Sequence, residues 1–168
     1  MARSWAAAGS ATEAAGQPVT VAVALGSNLG DRESHLRFAL DRLADFLHNL
    51  RISSFHETAP VGVGEQPIFL NAAVAGETAE PPRVVLDRLL AIERSRGRER
   101  PHWGAPRRLD LDLILYGDRR INESGLEVPH PRFRERAFVL APLAEIAPDL
   151  LDPITGRTVR ELLAHLRE

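Results

Sequence analysis

The order in which strand-like and helix-like hydropathy periods alternate constrains this chain more than any other feature. VTVAVAL (19–25) is a valine-rich run of strand length, closed by the Gly/Asn turn GSNLGD (26–31). From Asp31 to about Leu47, the apolar residues Leu36, Ala39, Leu40, Leu43, Phe46 and Leu47 recur at helical spacing. A second strand is expected from about Ile52 to Thr58, ended by the loop APVGVGEQP, and a third over IFLNAAVAGE (68–77). Pro81 and Pro82 suit a helix start, and Val85, Leu89 and Ile92 give that helix an apolar stripe ending near Gly97. GRERPHWGAPRR (97–108) is too rich in Gly, Pro and Arg for regular structure, and LDLDLILY (109–116) returns to a strand.

The order β-α-β-β-α-β predicts an α+β, ferredoxin-like fold: an antiparallel sheet with helices on one face. The opposite face is then expected to be covered by loops or to line a site. Beyond the fourth strand, INESGLEVPHP reads as a short connection and RAFVLAPLAEIAP as a helix that Pro142 limits or bends. Thr158-x-x-Glu161 is a capping-box pattern opening a last short helix. Residues 1–18, rich in Ala, Gly and Ser, are expected to form a disordered tail before one domain over 19–168. That opening lacks the apolar core of a signal peptide, so a cytoplasmic protein is expected.

Composition narrows the chemistry. The chain has no cysteine, which removes disulfides, thiolate nucleophiles and Cys-ligated zinc. It also has no lysine, so phosphate must be handled by arginine, metal ions and backbone N–H groups. The net charge of −2 gives no general attraction for nucleic acid.

Asp110 and Asp112 fall on one face of their strand and Leu109, Leu111 and Leu113 on the other. Two neighbouring carboxylates repel unless a positive charge lies between them, and Mg²⁺ suits one or two carboxylates plus phosphate oxygens. The plainer reading of the same residues is a solvated strand face. Just upstream, Arg94, Arg96, Arg98, Arg100, Arg107 and Arg108 match phosphate oxygens in chemistry, or form a charge run that pairs with Glu93 and Glu99. On the third strand Phe69, Asn71 and Ala73 share a face, and the Asn71 amide offers a donor and an acceptor to a heterocycle edge. Phe69, Trp103 and Phe138 could form flat apolar walls, although Phe69 and Phe138 also suit a core. His130, held between prolines, is either a turn residue or a donor to phosphate. GSN at 26–28 reads as a plain strand-to-helix turn.

Taken in order, ALGSNLGDR, SSFHETAPVG, QPIFLNAAV, WGAPRRLDLDLILYG and VPHPRFRERAFVLAPLAEIAP resemble the 6-hydroxymethyl-7,8-dihydropterin pyrophosphokinase family over about residues 19–165. The resemblance implies transfer of the terminal diphosphate of ATP to the pterin hydroxymethyl group, with release of AMP. It implies two Mg²⁺ ions on Asp110 and Asp112, and a pterin held by Thr58, the backbone near Ala59 and Val61, and Asn71. The ring would lie between Phe138 and Trp103, with Phe69 where a tyrosine can occur. Arg98 and Arg107 would contact the triphosphate during transfer. Arg100, His130 and Arg136 would fall at ATP-contacting positions, and Glu93 at a supporting carboxylate. Trp103-Gly104-Ala105-Pro106-Arg107 is one residue longer than the family's Trp-Gly-Pro-Arg. Loop 97–108 is expected to close over ATP as a lid. The partners implied are these small molecules, with no nucleic acid or membrane, and a monomer is expected. The competing expectation is a non-catalytic ferredoxin-like module that binds RNA or a small ligand. The absence of a K/R-G-F/Y-G/A-F-type strand weighs against RNA.

Overall fold

The computed structural model describes residues 17–59, 67–96 and 108–167. Its main sheet is antiparallel throughout. The central strand β1 (Val19–Ser27) pairs with β4 (Phe69–Thr78) on one side and β5 (Asp110–Tyr116) on the other. β2 (His48–Ile52) and β3 (His56–Thr58) both pair with β4.

The expected single strand from Ile52 to Thr58 is therefore two strands, with Ser53–Phe55 between them. Ser53 causes the break. Its N–H donates to the Ala73 carbonyl at 2.9 Å, while its Oγ accepts from the Ala73 N–H at 2.9 Å. A hydroxyl thus takes the place of a ladder carbonyl, a competition typical of serine.

Period-2 alternation in β1 sorts the core into two layers. Val21, Val23 and Leu25 face helix α1 (Arg32–Leu43) and helix α2 (Pro82–Ser95), packing with Leu36, Leu43, Val85 and Leu89. Asp31 caps α1 by accepting from the Ser34 N–H at 3.1 Å. The expected continuation of α1 to Leu47 does not occur, because the chain turns after Leu43; Phe46 and Leu47 stay buried in the same layer. Pro82 starts α2, where its missing N–H costs no helical bond.

The other face is the main departure from expectation. Ala22, Ala24, Ala73 and Ala75 are small enough for helix α3 (Ala137–Ile146) to lie against the sheet, with helix α4 (Val159–Leu166) beside it. Helices therefore pack on both faces. α3 runs through Pro142 to Ile146 and is not ended by it. At α4 the expected capping box forms: the Glu161 N–H donates to Thr158 Oγ1 at 3.1 Å, and the Thr158 N–H donates to Glu161 Oε1 at 2.8 Å.

Two further elements arise in the segment expected to be a plain connection. Strands β6 (Ile121–Glu123) and β7 (Leu126–Val128) form a hairpin, with Gly125 supplying the left-handed turn at φ 78°. A 3₁₀ turn follows at Phe133–Glu135. The His130 N–H donates to the Ile114 carbonyl at 3.0 Å, which draws VPHP against the outer side of β5. Among the described residues no helix is long and apolar enough to cross a membrane.

Candidate active site

Strand register builds the candidate site. His56 is opposite Asn71, Asn71 is opposite Gly26, and Gly26 is opposite Asp110, so all four lie in one row across the sheet. In the next row Ala73 meets Ala24, and Ala24 meets Asp112. Cross-strand partners project to the same face, so Asn71, Asp110 and Asp112 share the face that α3 covers only in part. Neighbouring strands lie about 4.8 Å apart, which puts the Asn71 and Asp110 backbones roughly 10 Å apart across β1.

Gly26 makes the row possible. A β-carbon there would stand 2.9 Å from Asn71 Oδ1 and 3.7 Å from Phe69 Cδ1. The Asn71 amide thus lies over the bare backbone of β1, with its NH₂ donating to Thr58 Oγ1. Asn71 is 5% exposed. This role was missed in reading GSN as a turn; Gly26 belongs to β1, and a glycine inside a strand signals close approach. Gly26→Ala should push the amide off Thr58 and cost about 1–3 kcal/mol, read as a lower denaturant midpoint. An unchanged midpoint would show that the Asn71 side chain relocates freely.

The aspartates are held from behind. Glu93, 2% exposed on α2, accepts the Leu111 N–H at 2.7 Å through Oε2. Leu111 stands between Asp110 and Asp112, so this buried carboxylate fixes the strand that carries them. Both aspartates are half-buried, while Leu111 and Leu113 pack into the first layer as expected. Past Leu113 the register slips, because Val23 pairs with Leu113 and Ala22 with Leu115. The bulge at Ile114 carries Leu115 into the α3 layer beside it and ends the strict alternation.

His130 faces the same region. Its Nδ1 accepts the Arg132 N–H at 3.1 Å, which leaves Nε2 as the protonated nitrogen of the neutral ring. Burial, then the Arg136 and Arg132 charges, push its pKa down to about 4 against an opposing pull from Asp110. The imidazole is thus a neutral Nε2–H donor at pH 7. Because the folded pKa lies below the ordinary 6.5, the unfolded chain takes up this proton first. Stability is then complete above about pH 6.5 and falls as pH drops towards 4, by roughly 1–2 kcal/mol once solvent screening of the half-buried ring is allowed for. Urea titrations of wild type and His130→Gln across that range should show a flatter profile in the variant; identical profiles would remove His130 as the cause.

Phe138, on the first turn of α3, is partly buried beside the second layer, and the Arg136 guanidinium sits 5.5 Å from its ring centroid. Thr58 pairs with Phe69 at the end of β3. Beyond them an open cleft of about 420 Å³ is lined by Asn28, Arg32, Glu57, Pro67 and Ile68 among others, but not by either aspartate. Thr58, Ala59, Phe69, Asn71, Glu93, Asp110, Asp112, His130, Arg136 and Phe138 are described; Val61, Arg98, Arg100, Trp103 and Arg107 lie outside the described residues, as does the expected lid.

A strand-borne carboxylate pair, a neutral imidazole donor and an amide beside aromatic rings are the equipment of an enzyme that moves phosphoryl groups onto a flat, polar-edged acceptor. The family model described as 7,8-dihydro-6-hydroxymethylpterin-pyrophosphokinase (HPPK) matches residues 22–148. This chain belongs to that family. It is 45% identical over 145 residues to a 2-amino-4-hydroxy-6-hydroxymethyldihydropteridine pyrophosphokinase of Methylorubrum extorquens, covering 84% of this chain and 90% of the relative. A Bacillus subtilis protein of the same name is 47% identical over 127 residues, covering 74% of this chain and 75% of the relative. Among solved structures, wild-type Plasmodium falciparum HPPK-DHPS superposes with a TM-score of 0.69 at 14% identity, over 89% of this chain and 45% of that one. That likeness concerns the fold, and this chain spans less than half of the Plasmodium protein.

Proposed function

We propose that this chain transfers the terminal diphosphate of ATP to the hydroxymethyl group of 6-hydroxymethyl-7,8-dihydropterin in folate biosynthesis, giving AMP and the pterin diphosphate. The observation that carries this reading is the row Asn71–Gly26–Asp110, which sets a heterocycle-reading amide and a carboxylate pair on opposite sides of one bare backbone position. The hydroxyl oxygen bonds to the β-phosphorus while the bond from that phosphorus to the α–β bridging oxygen breaks. AMP leaves with the bridging oxygen, and the hydroxyl proton is released.

Each described residue has a part in this reading. Thr58 and Asn71 read the polar edge of the pterin, Phe138 is one wall of its ring slot with Trp103 assigned to the other, and Phe69 lines the slot. His130 and Arg136 donate to phosphate oxygens. Arg98, Arg100 and Arg107 are assigned to the triphosphate, and Trp103 and Val61 to the pterin. Asp110 and Asp112 fit Mg²⁺: they share a face at alternate strand positions, and among the described residues no larger cluster of His, Asp or Glu completes a protein cage. Mg²⁺ characteristically leaves its other positions to water and phosphate. Two bound ions would neutralise phosphate charge and acidify the hydroxyl. Glu93 acts through the backbone, holding the pair in register.

The same reading makes the fold ferredoxin-like. If β2 and β3 count as one broken strand, the main sheet follows the order of the βαββαβ motif, with α3 and α4 added over the second face. A single domain over 19–168, acting as a monomer, suffices for this site. The non-catalytic module is not favoured. Purified protein should form AMP only when ATP, Mg²⁺ and the hydroxymethyl-dihydropterin are all present, and lose this activity with a chelator. Formation of ADP, or of AMP without the pterin, would overturn the assignment.

A further inference from the structure

We propose that Ser54, His56 and Glu145 form a positioning latch that sets the distance between the polar edge and the aromatic wall of the pterin slot, an inference that rests on the pterin reading above. Glu145 lies on the last turn of α3 and reaches the gap between β2 and β3. Its Oε1 accepts the Ser54 N–H at 2.6 Å, and its Oε2 accepts the Ser54 hydroxyl at 2.7 Å. The His56 Nε2–H lies 3.2 Å from the same Oε2 and 3.3 Å from Ser54 Oγ. These bonds, the one from the Ser54 backbone first, hold the Glu145 carboxyl below the usual carboxylate range. The carboxylate is the hub of the cluster.

Ser, His and Glu are also the residue types of a hydrolytic triad, but this arrangement cannot act as one. A triad carboxylate orients the ring from one nitrogen while the other nitrogen takes the serine proton. Here both partners approach Nε2, and the Ser54 proton already points to Glu145. The cluster holds parts together and does not activate a nucleophile.

What it holds follows from spacing. Two residues along β3, Thr58 projects to the same face as His56 and accepts from Asn71. Seven residues back along α3 from Glu145, two helical turns, is Phe138. The latch therefore joins the strand that carries Thr58 to the helix that carries Phe138. Among the described residues β3, three residues long, pairs with β4 alone, and apart from the part-exposed Arg32–Glu57 ion pair at 2.8 Å its ladder gives it little restraint. Without the latch, the bond that remains among the described residues between this sheet edge and α3 is from Arg51 Nη1 on β2 to the Ile146 carbonyl at 2.9 Å, on the far side of the break from β3, and the slot loses its fixed width.

The test separates positioning from general stability. Ser54→Ala and His56→Leu alter partly exposed side chains and should leave the melting temperature almost unchanged; Glu145→Ala removes the hub. Pterin binding is followed by its fluorescence, with a non-hydrolysable ATP analogue present, alongside kinetics for both substrates. Glu145→Ala should raise the pterin Kd and KM about tenfold, with the ATP KM within twofold of wild type. His56→Leu should do so by a smaller factor, and His56→Gln, which restores an N–H donor at the same reach, should recover it. Should Glu145→Ala fail to fold, Ser54→Ala and the His56 pair decide the matter. Equal changes for pterin and ATP, or a lower melting temperature with pterin affinity intact, would reduce the cluster to a structural tie and overturn the proposal. If wild type itself binds no pterin, the proposed function fails instead.

Discussion

Asp110→Ala and Asp112→Ala should each lower turnover at least about a thousandfold while moving the urea midpoint by less than about 1 kcal/mol of stability. A thousandfold corresponds to roughly 4 kcal/mol of transition-state stabilisation, the scale expected when a divalent-cation site in phosphoryl transfer is lost. The small cost in stability follows from geometry. The two side chains share a half-buried face, and the packing of this strand is carried by Leu111 and Leu113 on the other face. Removing one of two neighbouring like charges also relieves repulsion in the metal-free protein. AMP formation at saturating Mg²⁺ and equilibrium urea unfolding together decide the point. Global unfolding of both variants would mean that the carboxylates serve the fold.

The largest stability effect is expected far from the site, at Asp152. This residue, 1% exposed, accepts from both Arg134 nitrogens, Nε and Nη2, from the Thr155 hydroxyl at 2.7 Å and from the Ile154 N–H at 3.0 Å. Burial by itself would raise its pKa; hydrogen bonds from Arg134, Thr155 and Ile154 outweigh that and hold it at about 2. Asp152→Ala strands the Arg134 guanidinium in a part-buried position and should cost about 3 kcal/mol. The pH dependence has a definite sign. The folded pKa lies below the ordinary 3.8, so the contribution is present above about pH 4 and is lost as pH falls to about 2. Wild type should lose roughly 2 kcal/mol over that interval through this residue, and the variant should lack that component. Parallel profiles for the two proteins would show that the pair does not contribute as its geometry indicates.

Where long segments kept one hydropathy period, the chain could be read directly. β1, β4 and β5 lie within a residue or two of expectation, as does α2, because each presents one apolar face over several residues. Short elements were harder. β6 and β7 are three residues each, too short for alternation to register, although Ile121, Leu126 and Val128 with a Ser-Gly turn formed a weak hairpin signal. The break before β3 depends on one hydroxyl pairing with a backbone group on another strand, which no local pattern encodes. The second helical layer had a signal that went unused: AFVLAPLAEI is apolar almost all round, as in a helix buried between two surfaces. At the site, the shared face of Asp110 and Asp112 followed from period two alone, and burial agrees with it. The row joining Asn71 to Asp110 required strand register, which sequence does not supply. Glu93 was placed as a supporting carboxylate by resemblance, and its hydrogen bond to Leu111 gives that place a physical basis.

The four alanines under α3 act as a shim. Ala22, Ala24, Ala73 and Ala75 set the height at which the helix rides over the sheet, and Phe138 rides with it. The two methyl groups added beneath the middle of the helix by Ala73→Val would lift a lever whose ends are the ring wall at Phe138 and the carboxylate at Glu145. Substrate size tolerance in this fold can therefore drift through residues that never meet a substrate, at positions where a survey of the pocket lining would not look.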